Sequence, residues 1–164
     1  MTNTPNVTIR KAQPTDADTI MALICALADF ESLTPPDDAA QKRLIADAFG
    51  DKPRFEVFLA DAADGNTAGY VFIFETYSTF LALPTLYLED LFVLPTYRQQ
   101  QIGHALFEFC AAEALRRGCG RFEWTVLDWN VNAIAFYERH NAKRLGEWLH
   151  YRLTAPEIAQ LLNS

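Results

Sequence analysis

Ile20, Leu23, Ile24 and Leu27 recur at i, i+3, i+4 and i+7, the spacing of one helix face, while the segments on either side alternate instead. Residues 7–11 are alternating and rich in β-branched side chains, which predicts a first strand. Thr15-Asp16-Ala17-Asp18 then reads as a capping box for the helix. Pro35-Pro36 closes that unit, and Asp37 or Asp38 can cap a second helix bearing Leu44, Ile45 and Phe49, with Gly50 as its stop. Residues 55–60 and 70–77 are aromatic and β-branched runs joined through Asp64-Gly65-Asn66, a hairpin signal. After a loop over 78–85, residues 86–94 predict a further strand that Pro95 closes. A polar loop over 96–101 opens a long helix over 102–117. Ile102, Leu106, Phe109 and Cys110 form its buried face, and Gly118 ends it. Residues 121–127 read as a strand, 132–140 as a short helix and 143–153 as a last strand, before a small helix that follows Pro156.

No repeat or linker interrupts this order, so one domain over residues 1–164 is expected. The strand–helix–strand order of the second half implies a parallel pair, and the Asp-Gly hairpin makes the first half antiparallel. The fold class is therefore mixed α/β, a central mixed sheet with flanking helices. Half of the residues are apolar and 21% are charged, which fits a globular chain and not a disordered one. The net charge of −7 comes with no basic cluster, which argues against a nucleic-acid partner and would steer cationic substrates inward. No apolar run approaches the roughly 18 residues of a membrane span. Residues 1–6 lack a secretory pattern, and Cys25, Cys110 and Cys119 lack metal-ligand spacing, so free thiols in the cytoplasm and no bound metal are expected.

The densest chemistry lies in the run Glu89-Asp90-Leu91-Phe92-Val93-Leu94-Pro95-Thr96-Tyr97-Arg98-Gln99-Gln100-Gln101-Ile102-Gly103. A strand ends, a short loop with an Arg and a Gly follows, and a long helix opens. Such a loop can aim several backbone N–H groups into one concavity with the positive end of the helix dipole behind them, a cradle for a pyrophosphate. An ordinary strand-to-helix turn would have the same outline.

Arg98-x-x-Gln101-x-Gly103 after Val93-Leu94-Pro95 resembles the acetyl-CoA signature of the GCN5-related N-acetyltransferases, (Arg/Gln)-x-x-Gly-x-(Gly/Ala). Gln101 stands where the first Gly usually lies. Because Gly103 is retained at the tighter helix entry, position 101 is expected to need a free N–H and not a positive φ. Asn130-Val131-Asn132-Ala133-Ile134-Ala135-Phe136-Tyr137 resembles the family's second signature, and Asn141 replaces the usual Gly after that helix as a residue that tolerates a left-handed C′. More narrowly, Leu27-Ala28-Asp29-Phe30-Glu31, Ala48-Phe49-Gly50, Tyr87 to Val93 and Trp129-Asn130 are similar to the diamine acetyltransferases of spermidine/spermine and thialysine type.

That resemblance implies roles by position. Phe30, Glu31 and Glu89, with Asp90, would line the amine site. Leu91, Phe92, Val93, Arg98, Gln99, Gln100, Gln101, Ile102, Gly103 and His104 would hold acetyl-CoA, together with Glu123, Trp124, Thr125, Asn130, Val131, Asn132 and Ala133. Tyr137 would protonate the departing thiolate, and a homodimer would be the working form. Ser78-Thr79-Phe80 and Trp148-Leu149 replace acidic segments of the polyamine enzymes, which weighs against long polyamines.

An alkyl ammonium with a pKa of about 10.4 must lose a proton before it can attack, and Glu89 is the candidate base. Strand alternation places Asp90 on the opposite face unless a bulge intervenes. The Leu91 N–H is the candidate donor to the developing oxyanion. Surface salt-bridging for Glu89 and Asp90, and simple packing for Tyr137, are the plainer roles. No Ser/His/Asp grouping is apparent. Cys110 and Cys119 read as core residues, His104 as a residue that orients the loop, and His140 and His150 as surface residues. The expected activity is transfer of acetyl from acetyl-CoA to a small amine (diamine, polyamine or thialysine-like amino acid). A coenzyme A-binding regulatory module and a protein or peptide N-acetyltransferase are the alternatives.

Overall fold

The computed structural model describes residues 6–163, so most of the segment examined for a secretory pattern, residues 1–5, lies outside the described residues. The chain forms two compact units, divided between Thr125 and Val126.

The first unit runs β1 (Val7–Lys11), α1 (Ala17–Phe30), α2 (Asp38–Phe49), β2 (Glu56–Ala62), β3 (Thr67–Ser78), β4 (Leu83–Val93), α3 (Ile102–Arg116) and β5 (Arg121–Trp124). The five strands lie side by side in chain order. The first four are antiparallel, and β4 and β5 are parallel, as the order of elements implied.

The hairpin between β2 and β3 turns where Gly65 adopts φ +83°, and Asp64 Oδ1 accepts the Asn66 N–H at 3.0 Å. Asp37 is the cap of α2, accepting the Ala40 N–H at 2.8 Å. The box ahead of α1 forms two residues earlier than expected. Pro14–Asp16 is a 3-10 turn, and Asp16 accepts the Gln13 N–H at 2.7 Å, because Pro14 at the first position favours an early start.

Alternation along the strands sorts the core into two layers. Val57, Leu59, Tyr70, Phe72 and Phe92 face Ile20 and Leu23 of α1, with Leu44 and Phe49 of α2 at the margin. Phe58 faces the other way and meets Phe109 of α3 at 4.7 Å between ring centroids. Phe107 of α3 is more deeply buried than Phe109, because Phe122 and Trp124 of β5 flank its ring at 5.3 and 5.1 Å. The Gly69 position admits no side chain, since a Cβ there would lie 2.4 Å from the Phe92 carbonyl. At the C-terminal end of α3, Arg117 bonds Glu56 at 2.7 Å, Glu75 at 3.3 Å and Glu113 at 2.9 Å, tying the helix to β2 and β3.

The second unit contains α4 (Val131–Arg139) and α5 (Ala155–Leu162). Asn141 caps the end of α4 at φ +60°, with its N–H to Glu138 O at 3.0 Å and the Ala142 N–H to Tyr137 O at 3.2 Å. This is the paired geometry that the substitution of Asn for Gly allows. The last strand expected over 143–153 is absent. A turn brings the Trp148 N–H to Leu145 O at 3.3 Å, and period-two alternation is left only at Leu149, Tyr151 and Leu153. Without a ladder partner such a run does not hold as a strand. β5 likewise stops at Trp124, short of Leu127.

Candidate active site

The registers on the two sides of Glu89 decide the site. β3 pairs Phe72 with Asp90 but Ile73 with Leu88, so Glu89 is the extra residue of a β-bulge. A bulge suspends alternation, the exception allowed for at this position, so Asp90 does not face away from Glu89. Both carboxylates line one cleft of about 550 Å³, with Ile24, Leu44, Arg54, Phe55, Phe72 and Phe74. The acids are polar and the walls largely aromatic: Phe55 stacks on Phe72 at 3.9 Å between centroids.

Asp90 is the more enclosed of the two acids. The buried Tyr70 hydroxyl donates to its Oδ2 at 3.1 Å. Loss of hydration on burial pushes the Asp90 carboxyl up to about 6, and the Tyr70 bond only partly opposes this, while the neighbouring charges of Glu89 and Glu31 add to it. Glu31 is itself raised by burial. Two acids therefore share the cleft lining, with the charge of Glu31 near enough to act on Asp90, a setting that favours a cation. Phe30 takes a different position. Its ring lies under the Arg98 guanidinium at 4.6 Å and 6.3 Å from Phe92, so it braces the loop after β4 and does not line the cleft.

That loop shows how a phosphate could be held. β5 ends opposite Leu88, so from Glu89 to Val93 β4 has a strand on its β3 side only, among the described residues. A 3-10 turn over Pro95–Tyr97 follows, and Gln99 and Gln101 adopt φ +63° and +60°. Gln101 is thus left-handed, contrary to the expectation that its position needs only a free N–H. Gln101 is the N-cap of α3, where extended backbone is usual, so its left-handed conformation is a feature of this loop. Left-handed residues alternating with ordinary ones turn successive N–H groups toward one point. The helical ladder begins with Ala105 N–H to Gln101 O at 3.0 Å, so Ile102 and Gly103 precede it and have no acceptor within the helix. A Cβ at Gly103 would come no nearer than 3.8 Å to Val93, so the backbone there is uncrowded. His104 pairs with Glu108 at 3.2 Å along the helix.

In the second unit, Asn130 caps α4 by accepting the Ala133 N–H at 3.2 Å. Tyr137 is half-buried on that helix, its ring 5.3 Å from Phe136.

The model of the GNAT acetyltransferase family matches residues 21–142, which include the bulge, the loop and the Asn130-to-Tyr137 helix. The chain belongs to the GNAT acetyltransferase family. Along nearly its full length it is similar to the thialysine N-epsilon-acetyltransferase of Mus musculus, 36% identical over 166 residues, covering 93% of this chain and 95% of that one. It is 43% identical over 107 residues to the L-ornithine N5-acetyltransferase of Arabidopsis thaliana, covering 65% of this chain and 47% of that protein. Among solved structures, an integron cassette protein from the mobile metagenome of V. cholerae superposes with a TM-score of 0.79 at 21% identity, covering 97% of this chain and 99% of that one, a likeness of fold. Family and relatives together make the chain an N-acetyltransferase, and GNAT acetyltransferases generally use acetyl-CoA.

Leu91, Phe92 and Val93 lie on the open stretch of β4, and Glu123 and Trp124 lie on β5 opposite Tyr87 and Leu88, with Thr125 just beyond. Buried Cys110 has its thiol pushed up to about 12 by desolvation, the state of a core residue. Tyr70, Arg54, Phe55 and Phe74 are the site residues that sequence reasoning missed. The hydroxyl of Tyr70 inside the otherwise apolar run Gly69–Phe74 is the signal that could have raised it, since a buried phenol needs a partner.

Proposed function

We propose that this GNAT enzyme moves acetyl directly from acetyl-CoA to the primary amine of a small molecule (a diamine, a polyamine or a thialysine-like amino acid), both units serving one catalytic domain over residues 1–164. The observation that carries this reading is the bulge at Glu89, which sets two carboxylates in one aromatic-walled cleft where β4 loses its β5 neighbour. The similarity to enzymes named for thialysine and L-ornithine supports it.

Bound acetyl-CoA would supply the thioester carbonyl. The backbone from Gln99 to His104, with Arg98 beside it, suits its diphosphate, and Leu91 to Val93 the arm that follows, with Glu123 to Thr125 and Asn130 to Ala133 completing the contact. Asp90 and Glu31 attract the ammonium, and Glu89 removes one proton so that the nitrogen lone pair is free. As the N–C bond forms, the Leu91 N–H donates to the carbonyl oxygen. The C–S bond would break with its electron pair on sulfur; Tyr137 would deliver a proton there, and the second proton released by the acylated nitrogen would restore the Tyr137 hydroxyl through solvent. A homodimer in the cytoplasm fits the family resemblance and the three free thiols. The test is release of coenzyme A thiol with a panel of amines, with the product identified by mass. Amine-dependent release and a gain of one acetyl group support the reading; thiol release that ignores every amine removes it.

A further inference from the structure

We propose that Arg54 reads the α-carboxylate of the acceptor, so that this cleft selects an amino acid bearing a side-chain amine over the bare diamine of the same length. The inference rests on the amine-transfer reading above and adds a specificity residue to it.

Arg54 is the one cation on the cleft's lining, in a cleft whose other charged residues are Glu89 and Asp90. It is exposed, and among the described residues it enters no ion pair, whereas Arg10, Arg116 and Arg117 each hold a carboxylate. Its place is nevertheless fixed. Its N–H bonds Asp47 O at 2.9 Å in the last turn of α2, and the next side chain, Phe55, is stacked on Phe72. A guanidinium offers two parallel N–H donors that match a carboxylate, and exposure leaves it free to reach inward.

The cleft thus presents a positive group and a pair of acids joined by apolar surface from Ile24, Leu44, Phe55 and Phe74. A molecule with a carboxylate at one end, a few methylenes and an ammonium at the other is complementary to all three parts. A diamine of equal length would bring its second ammonium toward the Arg54 guanidinium with nothing to offset the repulsion.

Matched pairs that differ only in the carboxylate test this: ornithine against putrescine, and lysine against cadaverine. Arg54→Ala is expected to lower kcat/KM for the amino acids by roughly 10- to 100-fold, the scale of a lost charge-assisted bond, and to leave the diamines unchanged or improved. Arg54→Lys should recover part of the loss. Calorimetric binding of ornithine and putrescine to the wild type and Arg54→Ala reads the same preference without turnover. If ornithine binding falls selectively while no amine is acetylated, the Arg54 assignment stands and the transfer reading fails. Equal effects on ornithine and putrescine, or no effect on either, would overturn the assignment.

Discussion

The Tyr70 hydroxyl and the Asp90 carboxylate meet at 3.1 Å between β3 and β4, within the register that pairs Tyr70 with Phe92 and Phe72 with Asp90, and the bulge at Glu89 brings a second acid to that face. Tyr70 is fully buried, and its phenol is raised above the usual range by the same burial, so it acts as a fixed donor and not as an acid. Removing that donor strips the bond that holds the Asp90 pKa down. Tyr70→Phe should therefore move the acidic limb of the amine-binding profile, read as 1/KM, upward by roughly half to one pH unit. A role in packing alone would lower thermal stability and leave that limb where it is.

Asp90 also links stability to pH. Its carboxyl titrates near 6 in the folded chain, against an ordinary value of 3.8. Between these values the folded state holds a proton that the unfolded state has released, so stability falls as pH rises through that window. Asp90→Asn should abolish the fall and make the variant more stable than wild type at pH 8, by an amount on the order of 2–3 kcal/mol before loss of the Tyr70 bond is counted. Urea denaturation at pH 4 and pH 8 checks this. Wild type and variant losing stability in parallel between the two pH values would contradict it.

Gln101 stores backbone strain at the entrance to α3. At φ +60° a side chain crowds its own carbonyl, and Gly is free of that penalty. Gln101→Gly should raise stability by about 0.5–1 kcal/mol, roughly 1–4 °C in Tm for a chain of this size, and leave coenzyme A affinity intact. A lower Tm would show that the glutamine side chain makes a contribution that outweighs the strain.

Tyr137 and Glu89 separate the two proton transfers. Tyr137→Phe should cost roughly 10²-fold or more in kcat with little change in coenzyme A binding. Glu89→Gln should remove the base limb from the pH–rate profile. Full turnover in the first variant, or an unaltered profile in the second, would reassign the residue concerned.

Much of this was legible in the sequence, for identifiable reasons. The 3.6-residue spacing of Ile20 to Leu27, the Asp37 cap, the Gly65 turn and the left-handed Asn141 each follow from local chemistry that neighbours do not override. The bulge does not follow from local chemistry. Two adjacent carboxylates read as alternating, and only the pairing of Phe72 with Asp90 and Ile73 with Leu88 puts them on one face. Tyr70 and Arg54 were hidden for the same reason: their significance lies in what faces them from β4, far along the chain. The apolar residues at 149, 151 and 153 show the converse, a period-two pattern with no ladder partner to make it a strand.

Acetyl transfer as proposed requires the main chain between β4 and α3 to hold the cofactor's diphosphate. Amide exchange of the full chain, measured with and without coenzyme A, tests it directly. Protection concentrated at residues 99–104, accompanied by heat of binding in a titration, is the predicted result. Unchanged exchange across that segment at saturating coenzyme A, or no binding heat at all, would contradict it.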